Sequence, residues 1–102
     1  MSKLDNQNRL VIPKNLLEIA KFDINSEVRL YIRGKELYFD TPSKQNFRVH
    51  CVGTVKIHDN GRFHLPKLAR DILNCKPDSN FSFYLYDGKI CFKKIFFIPE
   101  IR

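Results

Sequence analysis

Val28, Leu30 and Ile32 alternate with Arg29, Tyr31 and Arg33, and Phe81, Phe83 and Leu85 alternate with Ser82, Tyr84 and Tyr86. An apolar residue at every second position predicts a strand with one face on a core. Each run meets a turn signal, Arg33-Gly34-Lys35 or Asp87-Gly88, and then a second β-prone run at 36–40 or 89–94, which predicts two hairpins. Upstream of each hairpin lies a common grammar. Short strands are expected over 2–5 and 54–58, then turns at Asn6-Gln7-Asn8 and Asp59-Asn60-Gly61, residue types that tolerate positive φ. Strands at Arg9–Ile12 and Arg62–Leu65 stop at Pro13 and Pro66, whose fixed φ suits a helix start. Short helices are expected over 14–21 and 67–74, with apolar faces built from Leu16, Leu17, Ile19 and Ala20 or from Leu68, Ile72 and Leu73.

Shifted by 53 positions, residues 1–41 lie over 54–94 without a gap. Identities fall at Lys3/Lys56, Arg9/Arg62, Pro13/Pro66, Lys14/Lys67, Ile19/Ile72, Ser26/Ser79, Tyr31/Tyr84 and Phe39/Phe92. Apolar positions agree further, among them Leu4/Ile57, Leu10/Phe63, Ile12/Leu65, Val28/Phe81 and Leu37/Ile90. The expected fold is therefore mostly β with two short helices, as a duplicated β-β-α-β-β unit. A unit of about forty residues is too small to bury its apolar faces alone and leaves strand edges unpaired, whereas two interlocked units close the sheet. The expected division is a first repeat at 1–41, a polar linker at 42–53 with Phe47 and Val49 pinned to the surface, a second repeat at 54–94, and an apolar tail at 95–102, within one globular domain.

Composition narrows the function. Hydrophobic content of 43% with nine Phe and four Tyr supports a core. No apolar run nears the ~20 residues of a membrane helix, and Met1-Ser-Lys begins no signal peptide, so a soluble cytoplasmic protein without membrane partners is expected. Cys51, Cys75 and Cys91 are an odd number without a CxxC pair, and His50, His58 and His64 are scattered, so neither metal nor cofactor is expected. No Gly-rich phosphate loop or nucleophile–base signature occurs, and an enzyme is not expected. The net charge of +7 suits an anionic partner, nucleic acid first, although solubility alone also favours charge. It is uneven: residues 1–41 carry seven Lys/Arg against six Asp/Glu, and residues 54–94 carry eight against four.

The stretches Asp59-Asn60-Gly61-Arg62-Phe63-His64-Leu65-Pro66-Lys67, Pro77-Asp78-Ser79 and Asp87-Gly88-Lys89-Ile90, in this order and echoed in the first half, resemble the AbrB/MazE/SpoVT swapped-hairpin family across each whole repeat. The resemblance implies a barrel in which each unit lends a hairpin to the other. Both units lie in one chain, which implies a pseudo-two-fold barrel within a monomer. The alternatives are a homodimer or, as in the similar tandem-repeat MraZ branch, rings. Double-stranded DNA is the implied partner, contacted by Lys3 and Arg9 in the first copy and by Lys56, Arg62 and Arg70 in the second. Lys14 and Lys67 are implied phosphate contacts beside the helix starts.

Each assignment has a structural rival. Arg9 and Arg62 could brace their turns, and Tyr31, Tyr84 and Tyr86 could stack bases or simply cover a barrel face. Asn8 stands where the family prefers Gly, and Leu17 stands where the second copy has Arg70, which weakens the first copy as a DNA surface. The expected function is a small DNA-binding transcriptional regulator. The alternative is an antitoxin-like or inhibitor protein that binds a protein partner through residues 95–102 or the linker, although Phe96, Phe97 and Ile98 could instead pack back on the barrel. A scaffold that has lost DNA binding is the third reading.

Overall fold

The two alternating runs lie in one sheet, each beside its end strand. A computed structural model describes residues 2–21, 25, 27–40 and 50–95. The first half comprises β1 (Ser2–Lys3), β2 (Arg9–Val11), α1 (Lys14–Ala20), β3 (Glu27–Arg33) and β4 (Glu36–Asp40). The second comprises β5 (His50–Lys56), β6 (Arg62–His64), α2 (Lys67–Leu73), β7 (Asn80–Tyr86) and β8 (Lys89–Ile95). Six strands form a curled antiparallel half-barrel in the order β1-β7-β8-β4-β3-β5, and β2 pairs with β6 in a separate two-stranded ribbon. The fold is mostly β with two helices, as the patterning predicts. Under the 53-residue shift, this strand order maps onto itself read backwards. The first strand of each half pairs with a hairpin of the other, β1 on β7 and β5 on β3, and β4 meets β8 between them.

Period-two burial fills the interior. Val28, Leu30, Ile32, Leu37, Phe39, Phe81, Ile90 and Phe92 are buried from the sheet, and Leu10 and Phe63 are buried from the ribbon. Phe63 meets Phe39 edge-on at 5.1 Å and Phe92 at 5.6 Å between ring centroids, so the ribbon closes the open side of the sheet with an aromatic plug. Truncating such a ring to Ala typically costs about 3–5 kcal/mol.

The helices are seven residues each, start after Pro13 and Pro66, and end at left-handed Lys21 and Asn74. Helices this short do not persist alone, so packing must hold them. Leu17, Ala69 and Leu73 are buried, and Leu16 and Ala20 are partly buried. Ile19, Leu68 and Ile72 are exposed, contrary to the expected apolar faces. Two turns at about 100° per residue present only one narrow stripe, and the i, i+4 pairs Leu16/Ala20 and Ala69/Leu73 occupy it.

β5 begins at His50, inside the stretch expected to be linker. A bulge between Leu30 and Tyr31 explains it: Gly53 lies opposite Leu30, Cys51 opposite Tyr31, and Val52 is the extra residue, 4% exposed. Gly53 takes φ +148°, and a Cβ there would stand 3.0 Å from Pro66 Cγ, so the bulge seats the strand against the start of α2. Residues 41–49, with Phe47 and Val49, and the tail from Phe96 onward lie outside the described residues, as do 22–24 and Ser26. No helix among the described residues is long and apolar enough to cross a membrane.

The tightest backbone approach is at Gly61, φ +83°, where an added Cβ would lie 2.6 Å from the Ile12 carbonyl oxygen. Gly88, φ +73°, has nothing within 4 Å of that position. Gly88→Ala should therefore cost only the positive-φ penalty of about 1–2 kcal/mol. Gly61→Ala should cost ~3 kcal/mol or more, because backbone must also move. Urea midpoints of the two variants check the ordering.

Candidate nucleic-acid interface

Arg9, Leu10 and Val11 of β2 lie opposite His64, Phe63 and Arg62 of β6. Leu10 and Phe63 point inward and are fully buried, so the alternation turns Arg9, Val11, Arg62 and His64 outward. Arg9 and Arg62 are diagonal neighbours across the ribbon, about 7–8 Å apart between Cα atoms by strand geometry. Two hydrogen bonds related by the internal shift hold the ribbon ends: the Ile12 amide donates to Gly61 O at 2.9 Å, and the Leu65 amide donates to Asn8 O at 2.8 Å. Asn8, 53 positions before Gly61, adopts φ +61°, so the turn of the first half also runs through a positive-φ residue, without glycine.

The two arginines differ in freedom. Asp5 accepts the Gln7 and Arg9 amides at 2.9 and 2.8 Å and the Arg9 Nε at 2.9 Å. Arg9 thus braces its turn. In the second half His58 stands 53 positions after Asp5, and Asn60 Oδ1 accepts from the Arg62 amide at 3.0 Å. No carboxylate pairs with the Arg62 guanidinium among the described residues. Arg9, Arg62, His58, His64, Asn25, Asp59 and Asn60 line one open hollow with Phe63. Asn25 donates to the Asp59 carboxylate at 2.8 Å, tying down the acidic group there.

Of the remaining candidates, Lys3 ends β1 and Lys56 ends β5, both exposed, and Lys14 is exposed at the start of α1. Lys67 is also exposed, 2.9 Å from Asp71 one turn on. Arg70 Nε donates to Leu65 O at 3.1 Å, so this side chain supports the strand end before Pro66. Its counterpart Leu17 is a core residue. Tyr31 is buried and stacked on Tyr38 at 5.5 Å, in one cross-strand row with Cys91 and Tyr84 on the face opposite Leu30 and Ile32. That row covers the sheet. His64 was findable from the outward position in Arg62-Phe63-His64, whereas Asn25 reaches Asp59 from 34 residues away and left no local signal.

The three cysteines are free thiols, and burial raises the pKa of Cys75 and Cys91. No three metal-ligating side chains converge among the described residues.

No protein-family model matches the chain, and no curated protein matches it. Among solved structures it is similar to PHS018 from Pyrococcus horikoshii, known from a solution structure, at 15% identity and a TM-score of 0.49 over 92% of this chain and 84% of that one. A likeness at that level bears on neither family nor function.

The Arg9 amide, the Arg9 guanidinium and the Gln7 amide hold the Asp5 carboxyl below its ordinary value of 3.8. A carboxyl depressed in the folded state stabilises fully above its unfolded pKa and loses that contribution as pH falls through the folded value. Wild type should therefore lose stability relative to Asp5→Asn as pH drops below 3.8, with the difference largest near neutrality. Paired urea titrations across pH read this directly.

Proposed function

We propose that the chain is two interlocked units forming a swapped-hairpin barrel of the AbrB-like type, and that it is a DNA-binding regulator. In this reading the β2–β6 ribbon lies against the duplex, because an antiparallel ribbon fits a B-DNA major groove about 12 Å wide. The observation that carries it is the ribbon's outward face, with Arg62 unpaired by any carboxylate among the described residues and Arg9 beside it on a rigid turn. Lys3, Lys14, Lys56 and Lys67 would add phosphate contacts, and Arg70 would act by supporting the strand end. The second copy leads the recognition, since Arg62 is available while Arg9 is held by Asp5.

Fluorescence anisotropy on a random duplex across a salt series tests this. Wild-type affinity should fall steeply with salt, since each phosphate contact contributes about −0.9 to the log–log slope. Arg62→Ala should weaken binding by roughly 5–10-fold and flatten the slope by about one contact, with a smaller effect for Arg9→Ala. Asp5→Asn should tighten binding, because it frees Arg9 and removes a negative charge. No binding by folded wild type at low salt would defeat the proposal.

A further inference from the structure

The register of the β2–β6 ribbon maps onto itself under the 53-residue shift. Arg9 pairs with His64, Leu10 with Phe63 and Val11 with Arg62, so each residue's counterpart lies in the same ribbon. The central pair, Leu10 and Phe63, is buried, which leaves two pairs on the outer face. Arg9 stands beside His64 at one end, and Arg62 stands beside Val11 at the other. The arginines are counterparts under the shift. Val11 and His64 are counterparts too, and they differ in kind. The face is therefore alike at its two ends in cations and unlike in what stands beside each.

His64 is exposed, and an imidazole N–H donates to acceptors such as purine N7 or guanine O6. Val11 is 43% exposed and offers only methyl groups. An exposed valine is ordinary in itself. This one lies directly opposite Arg62, which no carboxylate pairs among the described residues. In a major groove, the apolar feature within reach of such a side chain is the 5-methyl group of thymine. Residues two apart on a strand are separated by roughly 6.6 Å, close to two B-DNA steps of about 3.4 Å. With the ribbon along the groove, its two ends face positions about two base pairs apart.

We propose that the ribbon reads an asymmetric site in double-stranded DNA. A guanine meets Arg62 with a thymine methyl against Val11, and about two base pairs away a purine meets His64 and Arg9. The inference rests on the DNA-binding reading above and adds base readout to it, since phosphate contacts alone carry no sequence information. A methyl contact at one end only gives the chain one preferred direction on the duplex. Asp5 already engages Arg9 Nε at 2.9 Å, so the Arg62–Val11 end is the more sharply read half of the site.

Selection from a randomised duplex pool, followed by anisotropy on the enriched duplexes, tests this with wild type, Val11→His and His64→Val. Both positions are exposed, and circular dichroism melts confirm that the variants fold. Wild type should enrich a motif that differs from its own reverse complement, with thymine beside guanine in one half. Val11→His should lose that thymine and enrich the same bases in both halves, whereas His64→Val should gain thymine in the second half. Replacing the thymine by deoxyuridine removes one methyl group, which should weaken wild type roughly fourfold and leave Val11→His unaffected. Equal binding to every duplex would overturn this inference and leave the DNA reading standing, with phosphates alone holding the protein. A palindromic wild-type motif, or a thymine preference that survives Val11→His, would also overturn it. No binding to any duplex by folded wild type would overturn it together with the DNA reading.

Discussion

Gly61 passes so close to the Ile12 carbonyl that no side chain fits between them. That contact lets β2 and β6, from opposite halves of the chain, pair along three residues and lock through the amides of Ile12 and Leu65. Once the ribbon is fixed, Phe63 must point at Phe39 and Phe92, and the half-barrel acquires its closing plug. The same crossing carries β1 and β5 onto the hairpins of the opposite halves. Each half buries its apolar stripe against strands of the other.

On this shared frame the halves diverge. Asp5 captures Arg9, while His58 leaves Arg62 without such a partner. Leu17 fills core space where Arg70 instead reaches the Leu65 carbonyl. β3 keeps charges on its outer face under a full-length neighbour, while β7 is uncharged beside a two-residue one. At each pair, residues 53 positions apart take different partners. The proposed DNA face is where that difference leaves a cation without a carboxylate partner among the described residues.

Much of the fold was legible because its signals are local. Alternation in 28–33 and 81–86, the turn residues at 34 and 87–88, and Pro13 and Pro66 at the helix starts all act within a few residues of where they appear. The misses are tertiary. His50-Cys51-Val52-Gly53 reads as linker because a bulge admits a single apolar side chain, and only Pro66 on a distant segment shows why Gly53 is there. Ile19, Leu68 and Ile72 look like core in a helical pattern, yet a two-turn helix has room for one stripe. For the candidate site, the alternation in Arg62-Phe63-His64 sets which side chains face out, but whether an arginine is free depends on its neighbour. Asp5 sits four residues before Arg9, a spacing that turn geometry alone could have exposed.

The most direct test of the account is a chemical-shift titration of the ¹⁵N-labelled chain with a short duplex at low salt. The account predicts perturbations concentrated at residues 8–11 and 58–67, larger in the second half and reversed by added salt. Shifts confined to β7 and α1, or none at all on a folded protein, would contradict it.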